Sequence, residues 1–220
     1  METMERVLQR GAGLLSSRGR FVTEQDYERE VIYFSDAIDK VSVISGMGKD
    51  GIYRERMLYI VLLMKDYQKG KNSFYRLQDE LKQHLLQHCE LSISPKELQI
   101  EEPVFVELSV DVWANVMRME DGFEIQTLAK EALDNYLNPI ATEKGRGWNI
   151  GQLPRKAQIM MKLNSLKSRA IIRQIVVTAR YEDEEGFHEV DLSDLKASPF
   201  MVVKNGKHQI HVSPLQEVEK

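Results

Sequence analysis

Seven apolar residues occupy consecutive even positions, Val104, Val106, Leu108, Val110, Val112, Ala114 and Val116, with mostly polar residues between them. Side chains of an extended chain alternate between faces, so this period of two specifies a strand with one buried face. Strands usually run about 3–10 residues. A run this long is therefore expected to carry a bulge or a bend, or to serve two sheets. Phe105 and Trp113 fall on the odd, otherwise polar face. Apolar side chains there mark a second covered face or a protein interface, and the pattern leaves both open.

The segments on either side place this strand in an α+β context. Thr23, with Asp26 three residues on, starts a helix as a capping box, striped by Tyr27, Val31 and Phe34. A short strand is expected over Lys40–Ser45. A second over Met57–Met64 is apolar at nearly every position and so covered on both faces. A helix opening at Asn72 and Ser73 carries Phe74, Leu77, Leu81 and Leu85 and fades near Cys89; a loop with a short strand at Leu98–Ile100 follows.

Beyond the long strand, Asp121 and Glu124 read as reciprocal caps of a third helix, striped by Ile125, Leu128, Ala129, Ala132, Leu133, Tyr136 and Leu137 and ended by Pro139. Pro154 suits the first turn of a fourth, with Ala157, Met160 and Leu163 inward. Ile171–Tyr181 is a further strand. Phe200–Val203 and His208–Val212 are expected to pair as a hairpin across Lys204-Asn205-Gly206-Lys207.

Helix, strand, strand, helix is thus followed by strand, helix, helix, strand. The reading is two small ferredoxin-like α/β sandwiches, each an antiparallel or mixed sheet with two helices, joined by the long strand. The expected division is a connector over 1–22, a first α+β domain over 23–103 and a second over 104–220.

Between the last two helices lies a run dense in Gly, Pro, Asn and Trp, from Asn135 to Pro154. Tyr136, Leu137 and Trp148 can fill a pocket, Pro139 and Pro154 fix φ, and Gly145, Gly147 and Gly151 permit backbone paths closed to other residues. Almost nothing in it can do chemistry. Shape is its evident product, and Tyr136, Pro139, Gly147, Trp148, Gly151 and Pro154 are the residues expected to set it.

Composition narrows the function classes. The chain has 220 residues, 42% hydrophobic and 29% charged, with 30 basic and 34 acidic side chains for a net charge of −4. That balance supplies no field for nucleic acid or an anionic membrane surface. The longest apolar run, Met57–Met64, is too short to cross a bilayer. The single cysteine, Cys89, rules out an internal disulfide framework and fits a reducing compartment, so synthesis and folding in the cytoplasm are expected.

Candidate chemistry is sparse. Gly46-Met-Gly-Lys-Asp-Gly51 matches the spacing of a dinucleotide fingerprint, but that motif needs a helix next, and a charged linker and strand follow. A hairpin loop is the better reading; a nucleotide-binding protein is its rival. His84, His88 and Cys89 share a helix end without a further ligand nearby, and His208 and His211 lie on opposite strand faces. The acidic run Glu182–Glu185 reads as a solvated turn. Arg18, Arg20, Arg29 and Arg54 are interleaved with Glu, against the basic setting a ferredoxin-like RNA-binding module needs. No catalytic residue, metal site or cofactor is assigned.

Several motifs together resemble one family. Arg18-Gly-Arg-Phe-Val-Thr-Glu-Gln-Asp-Tyr-Glu28, Glu102-Pro103-Val-Phe-Val106, Asn135-Tyr-Leu-Asn-Pro139, Gly145-x-Gly-Trp148-x-x-Gly151-x-Leu-Pro154 and Asn205-Gly-x-His-x-Ile210 occur in order. They are similar to stretches of baseplate J-like proteins, in the carboxy-terminal part of that family's longer chains. The resemblance implies a non-enzymatic wedge subunit in the baseplate of a contractile phage tail or phage-like injection particle. It would assemble with other wedge subunits (a second copy of itself among the candidates) and with hub and sheath-proximal proteins, and pass the trigger for sheath contraction outward. It implies no small-molecule substrate, nucleic acid or membrane insertion. Met1 stands just before the first motif, so the expectation is either a truncated form or a short member. Phe105 and Trp113 are the expected partner contacts.

Overall fold

The computed structural model describes residues 21–88, 93–141, 147–166, 169–183 and 186–215. The readings that involve Arg18, Arg20, Cys89, Gly145 and the end of the 182–185 run, and most of the 1–22 connector, lie outside them. The chain divides into two compact units, one up to Pro103 together with Ser198–Phe200, the other from Val104 onward apart from those three residues. Each is a small α/β sandwich.

The first unit begins with α1 (Glu24–Phe34). Thr23 Oγ1 accepts the Asp26 N–H at 3.2 Å and Asp26 Oδ2 accepts the Thr23 N–H at 3.0 Å, the capping box expected from sequence. That backbone N–H bond leads the causes holding the Asp26 carboxyl below its ordinary pKa. Strands β1 (Ile38–Met47) and β2 (Tyr53–Met64) form an antiparallel hairpin, longer at both strands than the apolar residues alone suggested. Helix α2 (Asn72–His88) follows, then β3 (Leu98–Glu101), which joins β2 in parallel and completes a three-stranded sheet. Tyr27 and Val31 of α1 and Phe74, Leu81 and Leu85 of α2 pack on Ile60, Leu62, Leu98 and Ile100. Tyr59, Val61 and Leu63 are buried too, as expected of a strand covered on both faces. Tyr59 meets Phe200 edge-on at 5.6 Å.

The second unit is organised by β4 (Val104–Val116). Val106, Leu108, Val110 and Val112 pack beneath Ala129, Leu133 and Leu137 of helix α3 (Gly122–Tyr136) and its flank, and beneath Ile159 and Leu163 of α4 (Lys156–Leu163). Ala114 and Val116 continue the row with Ile125 and Ala170. Burying each large aliphatic side chain contributes about 1.5–3 kcal/mol. A one-residue slip would expose the whole row, so register is strongly held. The sheet is mixed and five-stranded. Antiparallel β5 (Ala170–Asp183) and β6 (Gly186–Asp191) lie on one side of β4, with a register shift between Trp113 and Ala114 that supplies the expected bulge.

The other side departs from expectation. Strands β7 (Met201–Asn205) and β8 (Gln209–Pro214) do not form a hairpin: both run parallel to β4 in tandem, β7 along Val104–Leu108 and β8 along Asp111–Val116. A strand as long as β4 leaves more unpaired backbone along its edge than five residues of β7 can satisfy, and β8 takes the remainder. Gly206 N–H bonds the Leu108 carbonyl at 3.0 Å, carrying the chain onward along β4. A Cβ at Gly206 would sit 2.7 Å from that oxygen, so glycine serves close approach here, not a turn.

Three local readings also shift. Asp121 has helical φ and ψ (−78°, −8°) and no side-chain cap bond; a 3₁₀ turn, Met119–Asp121, runs directly into α3, and Glu124 instead meets Arg169 at 2.6 Å. Leu128 is 39% exposed, at the margin of the stripe. Helix α4 starts after Arg155, so Pro154 precedes the cap, and the inward residues are Ile159 and Leu163 while Ala157 and Met160 face outward.

Candidate functional site: the Trp148 connection and the open face of β4

Leu137 closes α3 with its N–H on the Leu133 carbonyl at 2.8 Å. Asn138 Oδ1 accepts the Ile140 N–H at 3.0 Å, an Asx turn that bends the chain away from the helix axis around buried Pro139. Residues 142–146 are outside the description. At the far side Gly147 (φ +67°) and Gly151 (φ +80°) adopt left-handed conformations that other residues enter only with strain. Between them the chain folds back on α3. Trp148 N–H bonds the Asn138 carbonyl at 3.2 Å, and its indole Nε1–H donates to the Tyr136 carbonyl at 2.7 Å.

Trp148 thereby satisfies a carbonyl that the helix end leaves without an intrahelical partner. Its ring stands edge-to-face with Tyr136, centroids 5.4 Å apart, and Lys162 Nζ of α4 sits 5.2 Å from the Tyr136 ring centre. Burial raises the Tyr136 phenol above its ordinary pKa. Gly151 N–H donates to Met201 O at 2.7 Å, tying the connection to β7. Pro154 is buried, and Gln158 Oε1 accepts the Arg155 N–H at 2.8 Å to start α4. Tyr136 and Trp148 touch directly; Gly147, Gly151, Pro139 and Pro154 set the path around them. Among its described residues the arrangement holds no histidine, cysteine or carboxylate. It is a staple between two helices and an edge strand.

Phe105 and Trp113 stand on the same face of β4, eight residues and so about 26 Å apart, and do not form one patch. Phe105 is half-buried and lies opposite Val202 in the register. Trp113, 37% exposed, stacks on its cross-strand partner His211 with centroids 5.1 Å apart and planes at 17°. Between them β4 presents Glu107 and Asp111, with Lys204–Glu107 at 3.6 Å and Arg180–Glu189 at 3.1 Å nearby on the sheet. That face carries charges of both signs, without the basic surroundings an RNA-binding sheet needs.

The Gly46–Gly51 segment is the tip of the β1–β2 hairpin. Gly51 N–H bonds the Gly48 carbonyl at 3.0 Å, and Asp50 Oδ1 accepts from Ile52 N–H at 3.0 Å and from Arg54 Nη1 at 2.9 Å. A strand follows it, so the loop lacks the succeeding helix on whose amino terminus the fingerprint would seat a pyrophosphate. His84 Nε2 pairs with Glu30 Oε1 at 2.8 Å across the two helices of the first unit. Among the described residues no cluster of metal-binding side chains occurs, and no helix is long and apolar enough to cross a membrane.

Comparison with known proteins gives a likeness of fold. No family model matches the sequence, and no curated protein matches it. The fold is similar to a chain in the cryo-EM structure of the anti-feeding prophage (AFP) baseplate, 6-fold symmetrised, with a TM-score of 0.57 at 14% identity. The match covers 96% of this chain and 42% of that one, so this chain spans less than half the length of its structural counterpart. At that identity the likeness is one of fold.

Sequence reasoning missed one polar cluster in the second unit. His208, Asn205 and Asp134 interlock where β7 gives way to β8. The Asn-Gly pair drew attention to a turn; the signal that pointed elsewhere was the histidine two residues after Gly206, a buriable side chain with both a donor and an acceptor.

Proposed function

We propose that this chain is a structural component of the baseplate of a contractile tail or phage-like injection particle, acting as a wedge subunit of the baseplate J-like type. The observation that carries the reading is the fold likeness to an AFP baseplate chain over 96% of the present sequence, which includes both sandwiches. The ordered baseplate J-like motifs along the sequence agree with it. So does a central connection whose hydrogen bonds and ring contacts all serve shape. In this reading the protein turns over no substrate and needs no cofactor. Its partners are other wedge subunits, the hub and sheath-proximal proteins, and it leaves the cytoplasm only as part of the particle. Triggering would reach the sheath through rigid-body rearrangement at its interfaces. Phe105, and Trp113 stacked on His211, are the proposed contact residues, and Tyr136, Pro139, Gly147, Trp148, Gly151 and Pro154 the shape-determining ones.

Electron microscopy of particles from a strain lacking the gene provides the test. Tubes and sheaths should accumulate without complete baseplates, and supplying the gene in trans should restore them. Normal contractile particles in the deletion strain would sink the proposal.

A further inference from the structure

The tandem placement of β7 and β8 leaves one backbone donor of β4 to be met by a side chain. Gly206 N–H reaches Leu108 O, and β8 pairs from Asp111 onward. In the gap, the Val110 N–H donates to His208 Nδ1 at 3.1 Å. The imidazole is fully enclosed, with 0% of its side chain exposed. Since Nδ1 accepts, the ring proton resides on Nε2, which donates to Asn205 Oδ1 at 2.6 Å; Asn205 Nδ2 donates in turn to Asp134 Oδ1 at 2.6 Å on α3. The neutral ring thus fills a rung of the sheet ladder.

We propose that neutral His208 is a pin that fastens the carboxy-terminal strand β8 to β4, and that acidification withdraws it while β7 stays paired. A proton on Nδ1 would set two N–H groups against each other at Val110 and place a charge in an enclosed site. The charged groups around the ring act in both directions: Asp134 of α3, 3.7 Å from Nε2, and Asp111 of β4 favour the cation, whereas Lys130 of α3 opposes it. Burial outweighs the carboxylates and holds the pKa below its ordinary 6.5. The sign follows: the unfastened state takes up a proton more readily than the fastened one. Attachment is therefore complete above 6.5 and declines as pH falls below it. Other contacts of β8, such as Gln126 Nε2 to Ile210 O at 3.0 Å and Val212 packed beside Gly122, do not titrate.

Amide exchange measured by NMR on the full chain, expressed as protection relative to each amide's intrinsic rate, tests the proposal. Between about pH 8 and about pH 5, protection of the Val110 and Leu215 amides should fall by at most about tenfold per pH unit, the limit for one linked proton, while Lys204 in β7, whose N–H faces β4, holds steady. His208→Gln offers an acceptor and a donor but cannot titrate, and its profile should be flat. A flat wild-type profile, a parallel fall in the Gln variant, or an equal loss at Lys204 each overturns the proposal. Should the Gln variant not fold, the ring nitrogen shifts of wild-type His208 decide: an Nε2–H tautomer at neutral pH is expected, and an Nδ1–H tautomer refutes the pin.

Discussion

Two glycine-rich connections in this molecule look alike in sequence and are held in opposite ways. The β1–β2 tip uses Gly46 (φ +75°) and Gly51 (φ +71°); the α3–α4 connection uses Gly147 (φ +67°) and Gly151 (φ +80°). In the hairpin tip most stabilising contacts are local: Asp50 serves Ile52 and Arg54, and Gly51 bonds Gly48. Its distant ties run through Lys49, which pairs with Glu101 at 2.6 Å and lies 6.0 Å from the Phe200 ring centre. In the helix connection the contacts reach far along the chain, from Trp148 back to Tyr136 and from Gly151 forward to Met201. A local loop shapes only itself. A loop with distant contacts fixes the elements it joins, and damage to it spreads into α3, α4 and β7.

The largest expected effect follows from removing the anchor of the second kind. Trp148→Ala loses an aromatic pair and a hydrogen bond and orphans the Tyr136 carbonyl, a cost of about 2–3 kcal/mol in denaturant unfolding. Trp148→Phe keeps the ring and forfeits only the indole donor, for about 1 kcal/mol. Equal losses for the two variants would mean that the hydrogen bond, not ring packing, holds the connection. Next come the hairpin glycines. Gly46→Ala combines left-handed strain with a collision against the Tyr53 ring, whereas a Cβ at Gly51 meets nothing within 4 Å. Gly51→Ala should therefore cost about 1 kcal/mol from strain alone and Gly46→Ala about 2 kcal/mol. Both should leave the exchange protection of α3 and α4 unchanged. If protection in α3 falls in either hairpin variant, the contrast between a local and a far-reaching loop is wrong.

What could be read in advance divides along the same line. The even face of β4, the doubly covered β2, the Thr23–Asp26 box and the hairpin at Gly46–Gly51 are written in neighbouring residues, and period and cap chemistry suffice to find them. In the Tyr136–Pro154 connection, residue types suited to fixing shape stand out in the sequence, but their partners do not. Asn205-Gly206 failed because a strong local turn preference was overridden by the unmet edge of β4, distant in sequence. In α4 the helix starts later than Pro154 suggested, Leu163 is inward as expected, and Ile159 takes the buried place expected of Ala157 and Met160. Asp121 did not cap because the preceding 3₁₀ turn had already placed it in helical geometry. Sequence alone puts His208 in a hairpin strand; its place between β7 and β8 depends on their sharing β4 as a neighbour.

The smallest effect lies in the hairpin's own ion pair and probes how local that loop is. Both Asp50 oxygens engage Arg54, at 2.9 and 2.5 Å, and that side-chain hydrogen bond, ahead of the Ile52 N–H, holds the Asp50 carboxyl down to about 2 from an ordinary 3.8. A carboxyl depressed on folding stabilises the fold above its ordinary value, and the benefit disappears as pH falls from 3.8 through about 2. Because the pair is solvent-exposed, salt and competing water leave little of this in global stability. Carboxyl titration by NMR reads it directly. Arg54→Ala should move the Asp50 midpoint up toward 3.8, though not fully, since the Ile52 N–H remains. The same substitution should leave the unfolding midpoint at neutral pH almost unmoved. A large loss of stability would show that the tip, like the Trp148 connection, supports structure beyond its own residues, and the distinction between the two loops would then be one of degree.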